Sequence, residues 1–376
     1  MEDPIERLTR HYENPAAEAA MAAANGVPVV GITSNAVPWE LIRAAGAFPV
    51  VIDSGDADEA DIGDFMEEGV FERRIRAIFG AAVSGDLRHL SLLLISRTSE
   101  QEYKLYLYLR EAARQAPRRG IPPVYLYDLL HTRSPEAYAY GLERTLHLRK
   151  RLEDLTGKPI HDDALRGAIR ESDSARGAVR SLLRLRQPEP RVSGTVALSL
   201  LGPFFFMDRE KYARLAERAA ESIARRHPLS GKRVLITGAS LNHRGLHRAV
   251  EMHGAVVVAE DDWRGSQGAG GDAGKGDDDP LKSVFEKYYL DTPSPRLFPF
   301  EIADARFRRA TADGIDGVIF YLPPEDCVAG WDYPRRRRFL DERRIPHLLV
   351  REDALSLSEE CHERIEGFVR SLGAGW

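Results

Sequence analysis

The chain has 376 residues, 43% of them hydrophobic, and a formal net charge of −5 at pH 7. That length predicts two α/β domains rather than one core, and the acidic balance lends no support to a nucleic-acid binder, which normally presents a net basic footprint. Two cysteines, Cys327 and Cys361, are too few for a disulfide framework.

Met1-Glu2-Asp3-Pro4 is acidic and leads into no apolar stretch of the kind a signal peptide needs. The longest apolar run, Val196–Met207, is short for a membrane span and is broken by Gly202-Pro203. A cytoplasmic protein is expected. Its first third carries four short β-branched or leucine-rich runs: Val29–Ile32, Pro49–Ile52, Leu90–Ile95 and Pro123–Tyr127. Helical patterns at Trp39–Ala45, Phe65–Ala82 and Gln101–Ala113 alternate with them. Continuous apolar strands separated by amphipathic helices imply a parallel sheet covered on both faces.

A long helical stretch follows, Pro135–His227, broken at Gly157-Lys158-Pro159 and around Pro188–Gly194, with Asp162 and Asp163 as cap residues. The strand rhythm then returns at Arg233–Ile236, Ala255–Ala259, Gly317–Tyr321 and His347–Val350. Helices at about Leu246–His253, Pro280–Tyr289, Ala303–Asp313 and Arg335–Arg343 fill the gaps. In a last helix, Ser358–Leu372, Cys361, Ile365, Phe368 and Leu372 recur at core spacing. The fold class is α/β, with two doubly wound, Rossmann- or flavodoxin-like domains over residues 1–134 and 229–376. A helical segment, 135–228, bridges them. The Gly- and Asp-rich segment Arg264–Asp279 reads as a loop.

Ligands of open parallel sheets sit beyond the carboxyl ends of the strands. That rule selects Thr33-Ser34-Asn35, Arg97-Thr98-Ser99-Glu100, Gly238-Ala239-Ser240, Asp261-Asp262-Trp263 and Glu325-Asp326-Cys327. The same residue types also make ordinary βα turns and helix caps. Thr237-Gly238-Ala239-Ser240 looks like the start of a dinucleotide turn, but Asn242-His243-Arg244 fill the place of the glycines needed next. Gly274-Lys275-Gly276 lacks the spaced glycine and the Ser/Thr of a P-loop. His243, His247 and His253 could suggest zinc, yet no metalloprotease pattern accompanies them, and surface histidines on an arginine-rich helix are the favoured reading. No G-x-S-x-G elbow supports a serine triad.

Four stretches, in order, resemble the 2-hydroxyacyl-CoA dehydratase and benzoyl-CoA reductase subunit family. They are Gly31–Val50, with Ser34, Pro38, Glu40 and Gly46; Ile95–Glu100 running into Leu105–Arg110; Leu152–Ile160 with its Gly157-Lys158-Pro159; and Gly317–Pro334 with Asp326-Cys327, followed by Ile345-Pro346 and Arg364–Phe368.

The resemblance implies a two-subunit assembly in which a subunit holds a [4Fe–4S] cluster through three cysteines between two α/β domains. A separate ATP-hydrolysing activator supplies a low-potential electron. It also implies radical chemistry, either dehydration of a 2-hydroxyacyl-CoA or reduction of an aromatic acyl-CoA ring, as in anaerobic metabolism. The ligand positions carry over to Ser34, Ser99 and Cys327, of which only the last is a cysteine. Trp263 and Ser294 stand where some relatives have further cysteines. Clusters are held by soft thiolates, so a cofactor-free chain beside a cysteine-rich, cluster-bearing partner is expected. Ser34, Asn35, Glu40, Arg97, Ser99, Glu100, Asp326 and Cys327 are the substrate-pocket candidates, with the serines donating hydrogen bonds to a thioester. The alternatives are a stand-alone, non-redox acyl-CoA enzyme using Glu40, Glu100, Asp326 and Cys327, or a non-catalytic assembly module.

Overall fold

A computed structural model describes residues 2–52, 66, 71–274, 279–312, 314–324, 326–352 and 357–373, with only the backbone of residues 327 and 328. The first strands are β1 (Val29–Ile32), β2 (Phe48–Val51), β3 (Leu92–Ser96) and β4 (Val124–Tyr127). They form one parallel sheet in the order β2-β1-β3-β4. A second four-stranded parallel sheet contains β5 (Lys232–Gly238), β6 (Ala255–Asp261), β7 (Gly317–Tyr321) and β8 (His347–Val350) in the order β6-β5-β7-β8. Both sheets reverse their strand order beside their first strand, and a crevice opens at such a point.

The two sheets are covered on both faces, as their unbroken apolar runs require. In the second, Val234, Ile236, Ile319 and Tyr321 face a core with α10 (Gly245–Glu251) and α14 (Glu359–Ser371). Leu235, Val318 and Phe320 face the opposite core, with Phe307 of α12 (Glu301–Ala312) and Leu340 of α13 (Cys327–Glu342). This is the period-two alternation of a strand. Cys361 is a buried member of the first of these cores, as its helical spacing predicts.

The central helices are α6 (Pro135–Thr156), α7 (Asp162–Arg184), α8 (Gly194–Leu201) and α9 (Arg209–Ala224). They pack mainly with the first sheet in one continuous core. Also in that core is α11 (Pro280–Asp291), through Leu281, Val284, Phe285, Tyr288 and Tyr289. The second half of the chain thus returns a helix to the first half. A buried ion pair ties the halves elsewhere: both terminal nitrogens of Arg186 donate to Glu260 of β6, each at 2.6 Å.

Several expectations need correction. Two amino-terminal helices, α1 (Pro4–Glu13) and α2 (Ala17–Ala24), were not expected. Asp3 caps α1 by accepting from Ile5 N, and Pro4 occupies its first turn, a legible start signal. The helix expected at Phe65–Ala82 is observed as α4 (Arg73–Val83), and Phe65 lies outside the described residues. Asp162 and Asp163 sit in the first turn of α7, behind His161 at the cap position, where their charge complements the helix dipole. The helix expected from Arg335 begins eight residues earlier, at Cys327, with Pro334 inside it. A proline removes one donor but need not stop a helix that is capped upstream, here by Asp326 accepting from Ala329 N.

Candidate functional site

A cleft of about 330 Å3 lies beyond the carboxyl ends of both sheets. Its walls come from the βα turns that the strand-end rule selects: Ser34, Asn35, Thr98 and Ser99 from one sheet, and Gly238–Ser240, Asp261–Trp263 and Asp326 from the other. At Gly238, with φ of +121°, a Cβ would lie 2.1 Å from the Tyr321 carbonyl oxygen, so only glycine lets β5 and β7 close this corner. A third wall is the segment from Pro293 to Phe300. The Ser294 hydroxyl donates to the Thr98 carbonyl at 3.2 Å, and Phe298 N donates to His131 O at 2.9 Å.

Under the first-sheet turns lies a hydroxyl network that ends on the fully buried carboxylate of Glu102, on α5 (Glu100–Gln115). Glu102 accepts from Ser96 Oγ (3.2 Å), Thr98 N (2.8 Å), Arg74 Nη2 (3.2 Å) and, in a very short contact, Thr98 Oγ1. Because the single Ser96 proton goes to Glu102, the 2.7 Å contact between Ser34 Oγ and Ser96 Oγ must use the Ser34 proton. Ser34 also accepts from Ala36 N at 3.1 Å, so it offers the cleft an acceptor lone pair and no donor. Ser99 is the opposite. It caps α5 by accepting from Glu102 N at 3.2 Å, and its proton has no acceptor among the described residues. Sequence reading passed over Glu102, although Ser99-x-x-Glu102 is a capping-box spacing.

The other side of the cleft is electrostatically tense. Asp262 accepts from the backbone N–H groups of Arg264 (2.7 Å) and Gly265 (2.8 Å). Burial, aided by the neighbouring Glu260 charge, still pushes its carboxyl up to about 7. Burial raises Asp261 as well, against the pull of Arg336. Arg336 is shared between Thr237 Oγ1 (3.3 Å), Asp261 (3.6 Å) and Asp332 (3.8 Å). Arg306 also lines the cleft and has no carboxylate within 4 Å among the described residues; its Nη2 donates to the Asp291 carbonyl at 3.2 Å.

Of the eight candidates, Ser34, Asn35, Ser99 and Asp326 line the cleft. The backbone of Cys327 opens α13 beside Asp326, and its side chain lies outside the described residues, as does Glu325. Glu40, Arg97 and Glu100 are not among the lining residues. Glu40 is fully buried and pairs with Arg176 at 2.6 Å. Arg97 stacks on Tyr103 and pairs with Asp128 and Glu100, and Glu100 is largely exposed. Trp263 lines the cleft and packs edge-on against Phe205. His247 is not a surface residue: its Nε2 lies 2.8 Å from Glu260, deep in the ion pair with Arg186.

At two of the three carried-over positions, Ser34 and Ser99, the donors do not fit an iron–sulfur cluster. Ser34 and Ser99 present hard hydroxyl oxygens where a cluster needs soft thiolates. Among the described residues, no three His, Cys, Asp or Glu side chains gather as a metal site requires. No helix there is long and apolar enough to cross a membrane.

Two parallel sheets that turn their strand ends toward one cleft define a two-sheet α/β protein with a candidate ligand site at its switch points. The chain belongs to the 2-hydroxyglutaryl-CoA dehydratase, D-component family, whose description matches residues 34–372. Among its relatives is the (R)-2-hydroxyglutaryl-CoA dehydratase, subunit beta, of Acidaminococcus fermentans, 20% identical with 98% of each chain covered. Another is the (R)-phenyllactyl-CoA dehydratase beta subunit of Clostridium sporogenes, 21% identical over 99% of this chain and 96% of the relative.

Proposed function

We propose that this chain is a subunit of a 2-hydroxyacyl-CoA dehydratase-type complex that shapes an acyl-CoA pocket and carries no [4Fe–4S] cluster of its own. The observation that carries the reading is the coincidence, in one cleft, of near full-length family membership with hydroxyls at Ser34 and Ser99. A cleft of about 330 Å3 is in the range of small-molecule sites, roughly 300–1,000 Å3. Ser99 would donate to the thioester carbonyl, Ser34 would accept from an acyl hydroxyl, and Arg306 would face a negatively charged part of the ligand. The partner is a cysteine-rich paralogous subunit holding the cluster, served by an ATP-dependent activator.

The test is anaerobic purification, of the chain alone and with its co-purifying proteins, followed by iron and labile-sulfide analysis. The isolated chain is expected to be colourless, and Cys327→Ala to leave its iron content unchanged. A full cluster on the lone chain would overturn the reading. A second reading, a stand-alone acid–base enzyme acting on an acyl-CoA, draws on Asp262, whose carboxyl is poised near 7 at the cleft wall. Turnover of an acyl-CoA by the isolated chain, lost in Asp262→Asn, would favour it.

A further inference from the structure

Behind the cleft lies a second, much smaller cavity of about 20 Å3. It shares Asn35, Gln267 and Pro293 with the cleft, so the two spaces adjoin. Three basic side chains line it, Arg176, Arg209 and Lys287, all more than nine-tenths buried, and burial lowers the Lys287 ammonium to about 7. Two of them have carboxylates. Arg176 is held by Glu40 at 2.6 Å and by Asp173 at 2.7 Å, and Lys287 Nζ lies 3.9 Å from Asp291.

Arg209 has none. Among the described residues no carboxylate lies within 4 Å of it, and its Nε has no hydrogen-bond partner. Its polar contact is a long one, 3.4 Å from Nη1 to Ser172 Oγ. Otherwise the guanidinium rests on aromatic faces, 3.5 Å from the ring centre of Phe204 and 4.8 Å from that of Trp39. A buried guanidinium with no carboxylate in direct contact is costly, and a buried donor with no acceptor adds to that cost. Burial, with the Arg176 charge, holds Arg209 well below the ordinary guanidinium range, although the Glu40 charge acts against it. The cavity beside it is large enough for one water-sized occupant, which needs at least roughly 10–15 Å3.

We propose that this cavity is a binding site for one compact monovalent anion, of halide or formate size, held by Arg209 with Lys287 and Arg176. The size limit follows from the cavity. The charge follows from Arg209, the lining cation that no carboxylate touches among the described residues: Glu40 and Asp173 pair with Arg176, and Asp291, beside Lys287, already accepts from Gly271 N at 2.8 Å through Oδ2. An occupant would supply the acceptor that Arg209 lacks and would sit against the inner wall of the cleft, behind Asn35 and Gln267.

Thermal unfolding in sodium chloride, bromide or formate, against sodium gluconate at equal ionic strength, tests the site. Gluconate is too large to enter. A saturable rise in Tm is expected with the three small anions and not with gluconate. That rise should vanish in Arg209→Met, which keeps the aliphatic bulk and loses the charge. Identical curves in all four salts, or a rise retained in the variant, would overturn the proposal. If the variant does not fold, bromide-soaked crystals of the wild-type protein decide it. An anomalous peak beside Arg209 supports the site, and its absence at saturating bromide refutes it.

Discussion

Glu40 is expected from sequence as a pocket candidate and is placed by the fold in the core, and the two roles differ in energy. Its Oε1 accepts from Arg176 and its Oε2 from the Tyr288 hydroxyl at 2.9 Å. Burial by itself would raise this carboxyl; Arg176, with help from Ser172 and Arg209, more than offsets that and holds it at about 2 against an ordinary 4.5. At about 1.4 kcal/mol per pKa unit the drop corresponds to about 3 kcal/mol of folding free energy at neutral pH. A folded-state pKa below the unfolded one stabilises fully above 4.5 and is lost as pH falls through 2. By the same linkage less than half of it remains at pH 3.

Glu40→Gln removes the charge at nearly constant volume and confronts the Arg176 and Tyr288 donors with an amide that can accept from only one of them. The variant should therefore be less stable than wild type by about 3 kcal/mol at pH 7, with the gap narrowing to about half or less at pH 3. Urea unfolding followed by circular dichroism at the two pH values measures both. A loss below ~1 kcal/mol at pH 7, or a gap that does not change with pH, would refute the ion-pair account. Impaired ligand binding with unchanged stability would restore Glu40 to the pocket.

Asp262→Asn makes the opposite prediction, because a carboxyl raised to about 7 from an ordinary 3.8 costs stability as pH climbs through that window. The variant should have a higher Tm than wild type at pH 8, and the two should converge near pH 4. Equal Tm values at pH 8 would show that Asp262 titrates normally. Arg186→Met leaves the Glu260 carboxylate buried with only His247 beside it and should cost about 3 to 5 kcal/mol in urea unfolding. A cost near zero would mean that the packed methionine replaces the pair without loss. Ser99→Ala removes a helix cap as well as the proton offered to the cleft. A loss of about 1 kcal/mol is expected in the same assay, together with weaker acyl-CoA binding by calorimetry; unchanged binding would remove Ser99 from the pocket.

Periodicity and end signals were enough to read both sheets, because a strand buried on two faces is a continuous apolar run bounded by polar turns. Three strands, Val29–Ile32, Gly317–Tyr321 and His347–Val350, fall on their expected bounds, and the other five differ at their ends by one to two residues. The strand-end rule also singled out the turns that line the cleft, since in a parallel sheet all the carboxyl ends share one edge. Hydroxyls in place of thiolates at Ser34 and Ser99 are equally a matter of sequence.

Tertiary structure decided what each polar side chain spends its hydrogen bonds on, which depends on partners far along the chain. Glu40 meets Arg176 and Tyr288 across 136 and 248 residues. His247, on a helix that reads as an arginine-rich surface, is drawn inward by Glu260 and Arg186. Ser34 and Ser99 look alike in sequence, yet one turns its proton inward to Ser96 while the other keeps it for the cleft. Local pattern records which residues are polar. Only the packing of distant segments determines which of them still have a hydrogen bond to offer.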